Sequence, residues 1–429
     1  MKTSLIVGAF LALLLITTGV CAQVKQLEVW VTEPRAEYRT LMQDVAKEFE
    51  KTHPDIKVNV TLMSWDDAYV KWVLSLSAGN PPDITYMVES WLGYLEILEK
   101  GGFLPVNDIV DEIGRSKFSQ HPLRIWQLKG KQLGLPWLWG FWVLHYRKDI
   151  FEKAGIKAPE TWDDVLEAAK KLTSPEKKIY GIAMGAKLDW YPRRTFATAL
   201  YTHGGNLIDK NGRIVLNSPE SISALTTYAN LFDYSPPGST AWGYTEVNRA
   251  LVSGACAMTM TAPVVFELAL RADPNLAGKI GVVIPYKRGV VKEKRVAEAP
   301  TKGWAIFKDT KHPKEAKMFL RYIFESDAFY RWMTVMPLSG MPLYFDPIQI
   351  KRLTEHPTVK AFPDVFEYLL GQKKGYLIGV EEFGPNKYTG KLEGERIIER
   401  MVNKVVVDKS PVPKAVEWAD IEAKRIYEQ

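Results

Sequence analysis

Cysteine is nearly absent from this chain of 429 residues, which contains only Cys21 and Cys256. Cys21 lies in an N-terminal segment that we expect to be removed, so one cysteine remains in the folded chain. A single cysteine cannot form an internal disulfide. The fold must therefore be stabilised by its hydrophobic core, even in the oxidising compartments where exported proteins commonly gain disulfides.

Long hydrophobic runs are missing after the first 22 residues. The N-terminus has a positive start, an apolar run from Leu5 to Ile16, and small residues near the end of the segment. This order is typical of a secretory signal peptide, so we expect residues 1–22 to be cleaved after Ala22 and the rest to reach the periplasm or the cell surface. A lipid anchor on Cys21 is the alternative, and the bulky Val20 argues against it.

Signals for metal, nucleic-acid or catalytic chemistry are also missing. Four of the six histidines stand directly before proline, which is typical of turns: His53, His121, His312 and His356. His145 and His203 are isolated, so no pair has the spacing of a metal site. The net charge of +6 is small and forms no basic block, which argues against a nucleic-acid partner. We predict no metal, no cofactor and no catalytic residues.

The first part of the exported chain alternates between strand and helix patterns. Apolar runs predict strands at 27–31, 56–62 and 83–87, with helices between them. This βαβ series predicts an α/β fold with a mainly parallel sheet and helices on both faces. In such sheets, ligands bind at the loops beyond the carboxyl ends of the strands. Those loops begin near Thr32, Met63 and Val88.

Cap residues predict two further helices. Thr161 and Ser218 are good N-cap residues in front of helical patterns, which run to 172 and to about 232. Apolar spacing predicts one long helix over 313–333 and another from about 393 to 407.

Four segments carry detailed sequence patterns. They are 146–172 with its KDIFEKAGI and ETWDDVLEAAKKL runs, LNSPESISALTTYANL at 216–231, NRALVSGACAMTM at 248–260, and GWAIFKDTKHPKEAKMFLRYIFESD at 303–327. Together they closely resemble the extracellular solute-binding proteins of ABC importers, in the group that includes maltose-binding protein. The resemblance covers nearly the whole exported chain and is specific because the four patterns occur in the family's order.

The resemblance implies an α/β fold of two doubly wound lobes joined by three crossover segments, the type II periplasmic-binding-protein architecture. Lobe one would contain residues 23–137 and 285–336, and lobe two residues 138–284 and 337–429. A carbohydrate, most simply an oligosaccharide, would bind in the cleft between the lobes, which close over it by a hinge motion. The permease subunits of an ABC importer would be the partner, and the chain would act as a monomer that catalyses no reaction.

The resemblance also places sugar-contacting side chains after the strands of lobe one. Trp65 and Asp66 follow the second strand, and Glu89 and Trp91 follow the third. The Glu89 carboxylate can accept hydrogen bonds from hydroxyl groups, and a tryptophan ring can stack on a sugar. Each residue also has a structural explanation, such as Asp66 capping a helix, so both interpretations stay open.

Other candidates come from the 14 tryptophans and from lobe two. The first crossover contains Trp137, Trp139 and Trp142. Side chains alternate along an extended segment, so these three rings cannot all face the ligand. Trp139 is the candidate among them. The remaining candidates are Trp190, Arg193, Trp242, Tyr244 and Trp304. Packing in the core or at the hinge is the alternative for the aromatic residues, and a surface position is the alternative for Arg193.

Two departures from the family pattern weaken an assignment to maltose. Ala262-Pro263-Val264 stands where many maltose-binding relatives carry Gly-Pro-Trp, and Gly140 stands where they carry an acidic residue. A sugar ligand remains the prediction.

Three other functions stay open. Arg193 and Arg194 fit a ligand such as glycerol phosphate or an acidic sugar. Aromatic platforms and carboxylates also suit a secreted carbohydrate-active enzyme, although no catalytic motif stands out. A surface adhesin that uses this fold without transport is the third.

Overall fold

The computed structural model describes residues 24–97, 101–372, 374–381 and 383–427. The expected signal peptide and Cys21 lie outside the described residues. Within the described ranges, no helix combines the length and the hydrophobicity needed to cross a membrane.

Twelve strands form two main sheets and one small hairpin. The strands are β1 (Lys25–Val31), β2 (Ile56–Leu62), β3 (Ile84–Val88), β4 (Gln127–Leu128), β5 (Lys131–Gln132), β6 (Leu135–Trp139), β7 (Val143–Arg147), β8 (Tyr180–Ala183), β9 (Cys256–Thr261), β10 (Ile280–Val283), β11 (Thr301–Ile306) and β12 (Met341–Pro342).

Helices cover these sheets and connect their strands. They are α1 (Ala36–Thr52), α2 (Trp65–Ser77), α3 (Leu92–Ile97), α4 (Asn107–Ile113), α5 (Gln120–Ile125), α6 (Lys148–Lys153), α7 (Trp162–Leu172), α8 (Tyr191–Thr202), α9 (Pro219–Asn230), α10 (Tyr244–Ser253), α11 (Val265–Ala272), α12 (Pro313–Glu325), α13 (Ala328–Val335), α14 (Pro347–Thr354), α15 (Pro357–Ala361), α16 (Pro363–Leu370), α17 (Thr389–Gly394), α18 (Ile397–Val406) and α19 (Val412–Tyr427).

The larger sheet has the strand order β12-β6-β11-β3-β1-β2, and we call the elements around it lobe one. β1 runs parallel to β2 and β3, with Leu27 opposite Val58 and Val29 opposite Ile84. This part is the βαβ series that the sequence predicts. β11 runs antiparallel to both β3 and β6, so the whole sheet is mixed. The reversal arises because β11 enters from the other sheet and not through a βαβ crossover.

The smaller sheet has the order β10-β7-β9-β8, and we call the elements around it lobe two. β8 and β9 are parallel, whereas β7 runs antiparallel to both of its neighbours. Each sheet therefore combines parallel strands with at least one reversed strand that follows a crossing.

The chain passes between the two lobes three times. Residues 140–142 connect β6 to β7, and residues 284–300 connect β10 to β11. After β12 the chain leaves the larger sheet and ends in α18 and α19, which pack against α8 and α9. Leu138 and Trp139 still pair with the larger sheet, as does β12 at 341–342. These segments lie a few residues beyond the limits that the resemblance implies for lobe one.

Two predicted helices are interrupted. The pattern over 313–333 is split into α12 and α13 because Ser326 adopts an extended backbone, and its hydroxyl accepts a hydrogen bond from the Ala328 amide. The pattern from 393 to 407 is split near Arg396, which has a left-handed φ of 55°. A regular α-helix cannot continue through a residue in that conformation.

Candidate ligand-binding site

A cavity of about 360 Å³ lies between the lobes at the carboxyl ends of β1, β3 and β9. Parallel strands leave their following loops at this edge of the sheet, which is where the sequence predicts a ligand. Eight aromatic residues line the cavity: Tyr38, Trp65, Tyr69, Trp72, Trp91, Trp142, Trp190 and Tyr244. The cavity is therefore bounded by aromatic rings from both lobes.

The aromatic wall of lobe one consists of Trp65, Tyr69 and Trp91. The side chain of Ser64 accepts a hydrogen bond from the Asp67 amide and starts α2, so Trp65 and Tyr69 project from its first turns. Trp91 follows β3, and its ring centroid lies 4.1 Å from that of Tyr69. The wall is held in place by contacts between its own rings and by the end of a central strand.

The aromatic wall of lobe two consists of Trp142, Trp190 and Tyr244. The three ring centroids lie 5.4–5.7 Å from one another. These separations are typical of favourable aromatic pairs. Trp142 comes from the first crossing, Trp190 precedes α8, and Tyr244 opens α10, so three distant segments build this wall.

Polar groups of lobe one complete its side of the cavity. The ammonium group of Lys302 donates to the Glu33 carboxylate at 2.8 Å and lies 4.8 Å from the centre of the Trp65 ring. Arg35 is half-buried on the cavity lining and forms no ion pair with any residue that the structure describes. Arg35 is thus a donor that a ligand can reach.

The polar side of lobe two is a buried cluster of arginines and glutamates. Arg194 donates to Glu298 at 2.6 Å and lies 3.5 Å from Glu393. Arg193 donates to Glu393 and lies 3.8 Å from Glu399. Arg194, Glu393 and Glu399 line the cavity, whereas Arg193 lies beneath the surface.

Several of these carboxyl groups are difficult to ionise. Burial raises the pKa of Glu399 to about 7, although Arg193 opposes the shift. Burial likewise raises the pKa of Glu89 to about 7, against the effects of Arg194 and a hydrogen bond from Thr301. Burial also raises the pKa of Glu298, again opposed by Arg194. Burial therefore favours the protonated form of each of these carboxyl groups relative to a carboxyl group in water.

The structure brings four of the predicted site residues to the cavity: Trp65, Trp91, Trp190 and Tyr244. Asp66 belongs to α2, and its side chain is not among the described ones. Glu89 is 2% exposed and lies behind the lining, where its carboxylate accepts a hydrogen bond from the Thr301 hydroxyl at 2.9 Å.

The other predicted site residues lie outside the lining. Trp304 is fully buried against Trp137 and Tyr86, because its side chain faces the helical layer of lobe one. Trp139 lines a different cavity, together with His121 and Arg124. Arg193 is bonded inside the carboxylate cluster, and Trp242 packs as a partly buried residue in lobe two.

The sequence did not single out some of the lining residues. Tyr38 and Tyr69 sit on helices, where the spacing alone does not separate a core ring from a cleft ring. Glu393 and Glu399 arrive from the C-terminal segment after the third crossing, and no local motif marks them. Within the described residues, no group of three His, Cys, Asp or Glu is placed to hold a metal ion.

Gly140 lines the cavity at the first crossing. A Cβ atom built there would meet the Ser339 carbonyl oxygen at 3.7 Å, an ordinary contact distance. Glycine is therefore not required by packing at this position, and its small size leaves the cavity wider than a larger side chain would.

Comparisons with known proteins agree with this architecture. A sequence profile described as "Bacterial extracellular solute-binding protein" matches residues 32–328. One relative is the ABC transporter periplasmic-binding protein YcjN of Escherichia coli (strain K12). It is 25% identical over 409 residues, which cover 92% of this chain and 90% of YcjN. The arabinooligosaccharide-binding protein of Bacillus subtilis (strain 168) is 26% identical over 325 residues, covering 73% of this chain and 72% of that protein.

A solved structure also superposes over nearly the whole chain. It is an ABC transporter solute-binding protein from Thermotoga lettingae TMO bound with alpha-D-tagatose, with a TM-score of 0.76 and 24% sequence identity. The match covers 94% of this chain and 99% of that one, and it shows the fold. Since the family profile spans more than half of the sequence, the chain belongs to the bacterial extracellular solute-binding proteins.

Proposed function

We propose that this chain binds a carbohydrate, most simply an oligosaccharide, in the cavity between the lobes and delivers it to the permease of an ABC importer. The observation that carries the proposal is the pair of aromatic walls, one on each lobe. Sugar rings present flat apolar faces that such rings can cover, and the polar groups between the walls can bond the hydroxyl groups. The volume of about 360 Å³ lies within the range of small-molecule pockets, roughly 300–1,000 Å³.

The names of relatives support a carbohydrate. One relative is an arabinooligosaccharide-binding protein, and the superposed structure carries alpha-D-tagatose. Hinge closure of the two lobes would bury the sugar and present a closed form to the permease. We further propose that the chain is exported, acts as a monomer and releases its ligand chemically unchanged.

An anionic ligand is the second candidate, and Arg35 favours it. This guanidinium lines the cavity without an ion pair among the described residues, as a carboxylate or phosphate site requires. Arg193 and Arg194, which suggested an anionic ligand from the sequence, are instead bonded to buried glutamates.

A thermal-shift screen of the purified chain tests the proposal. The panel contains mono- and oligosaccharides, alditols, glycerol phosphate and uronates. A ligand present at a hundred times its dissociation constant adds about 2.7 kcal/mol to the free energy of unfolding, which shifts the melting temperature measurably. We expect a hit among the neutral sugars, recovered unchanged after incubation. Hits among the anions alone would favour the second candidate, and chemical conversion of a sugar would indicate an enzyme. A panel in which no compound raises the melting temperature would contradict the proposal.

A further inference from the structure

The buried cluster on the lobe-two side of the cavity contains more acids than bases. Glu298, Glu393 and Glu399 share it with Arg193 and Arg194, and Glu89 faces Arg194 from the lobe-one side. Arg396 also lines the cavity, where its guanidinium donates to the Leu188 carbonyl oxygen at 2.8 Å and favours the ionised form of Glu399. Four carboxyl groups therefore face three guanidinium groups at most, so acidic groups outnumber basic groups in the cluster.

Three carboxylate oxygens in this cluster have no hydrogen-bond donor among the described residues. They are the Oε2 atoms of Glu298, Glu393 and Glu399. Glu399 is 1% exposed, yet it lines the cavity. A buried oxygen without a donor is costly, so such an atom calls for a partner supplied from elsewhere. For Glu393 and Glu399 the adjoining cavity is the place from which that partner can come.

The backbone places these two carboxylates together. Glu393 lies in α17 and Glu399 in α18, and the left-handed residue Arg396 joins the two helices. A non-glycine residue in this conformation is uncommon and marks a bend that the surrounding structure enforces. Without the bend, one continuous helix would carry the two side chains away from each other.

Resting on the proposed function, we propose that Glu393 and Glu399 form the specificity-determining end of the cavity. They accept hydrogen bonds from hydroxyl groups of a neutral sugar and repel a ligand that carries a carboxylate or phosphate at that end. Arg193 beneath them and Arg194 beside them are paired with the carboxylates, and for this reason these two arginines cannot serve as an anion site. The ligand class is thus a neutral polyhydroxyl compound.

The charged groups around Glu399 support this assignment. Arg193 faces it from α8, Glu393 from α17, and Arg396 from the bend. Burial and the neighbouring Glu393 outweigh the two arginines and raise the pKa of Glu399 to about 7. A hydroxyl donor stabilises the ionised carboxylate. Neutral-sugar binding should accordingly weaken as the pH falls from 8 to 6, because protons then compete for the same oxygen.

The test compares a neutral disaccharide with its uronate and its phosphate, titrated calorimetrically against the purified chain. Glu399→Gln and Glu393→Gln keep the volume and remove the charge. We expect each to weaken neutral-sugar binding roughly tenfold to a hundredfold, the value of a hydrogen bond to a charged group, and to reduce the discrimination against the anions. Glu395→Gln is the matched control, since Glu395 lies in the same segment outside the lining and pairs with Arg425.

The outcomes separate this inference from the proposed function. Neutral-sugar binding that is insensitive to both substitutions, in variants with wild-type melting profiles, overturns the subsite and leaves the function standing. A wild type that prefers the uronate or the phosphate overturns the subsite as well. If Glu399→Gln fails to fold, Glu393→Gln decides, because its side chain is less buried. Absence of binding by any sugar overturns both.

Discussion

At the residue scale, Glu89 shows how a buried acid couples folding to pH. Its carboxylate accepts from the Thr301 hydroxyl, which in turn accepts from the indole of Trp126 at 2.9 Å. Burial raises its pKa from the ordinary value of 4.5 to about 7. Between these two pH values the folded chain holds a proton that the unfolded chain has released. The contribution of Glu89 to the free energy of unfolding therefore decreases as pH rises from about 4.5 to 7.

Replacing Glu89 by glutamine removes this titration. We expect the wild type to lose up to about 3 kcal/mol relative to the Glu89→Gln variant between pH 4.5 and pH 8. Urea unfolding followed across that range measures the difference. Glu152→Gln is the control, because Glu152 is exposed. Wild-type and Glu89→Gln curves that run parallel over pH would contradict the assigned burial effect.

The sequence predicted part of the cavity lining at this scale. Trp65 and Trp91 follow strands of a βαβ series, so the rule that ligands bind beyond the strand ends singled them out, and both line the cavity. Trp304 and Trp139 are also tryptophans at strand or crossover positions, yet Trp304 lies in the core and Trp139 lines a second cavity. A sequence does not state which face of a strand meets a helical layer, so residue type alone could not separate these rings from the cleft rings.

At the element scale, caps and breaks decide where the helices lie. The Thr161 side chain accepts from the Asp164 amide, and the Asp164 carboxylate accepts from the Thr161 amide at 2.8 Å. This capping box was predictable in outline, since Thr161 precedes two acidic residues. The breaks after α12 and before α18 were not, because Ser326 and Arg396 have no strong helix-breaking character and tertiary packing sets their backbone.

Thr161→Ala should destabilise the fold by about 1 kcal/mol, because it leaves the first turn of α7 without its side-chain acceptor. Thr161→Ser should restore most of that loss, since serine keeps the hydroxyl group. Denaturant unfolding midpoints measure both variants. Sugar affinity should be unchanged, because α7 contributes no residue to the cavity lining. Equal destabilisation by alanine and serine would show that the methyl packing of Thr161 matters and the cap does not.

At the scale of the whole molecule, the cavity exists only because two lobes meet. The family resemblance predicted two lobes and three crossings, and the family profile and the superposed structure confirm that fold. The return of the C-terminal segment to the cleft was not predictable, since Glu393 and Glu399 are more than 190 residues away in sequence from their partners in α8. Contacts at that separation follow from the tertiary fold and from no local pattern.

The aromatic walls imply that the ligand touches both lobes at once. Trp65 belongs to lobe one and Trp190 to lobe two, and both line the cavity. Truncating a buried aromatic contact residue commonly costs more than 1 kcal/mol of binding free energy. A ligand held between the walls must therefore be sensitive to either substitution. Trp418 of α19 offers a matched tryptophan control. It lies outside the cavity lining and packs beside Arg400 and Lys404 of α18.

The most direct test of the account is a calorimetric titration of the purified chain with the best neutral sugar from the screen. We predict saturable binding of one sugar per chain, weakened at least about fivefold by Trp65→Ala and by Trp190→Ala, and unchanged by Trp418→Ala. Binding that responds to only one of the two cleft substitutions would place the ligand on a single lobe. Binding that survives both substitutions would contradict the interlobe cavity as the sugar site.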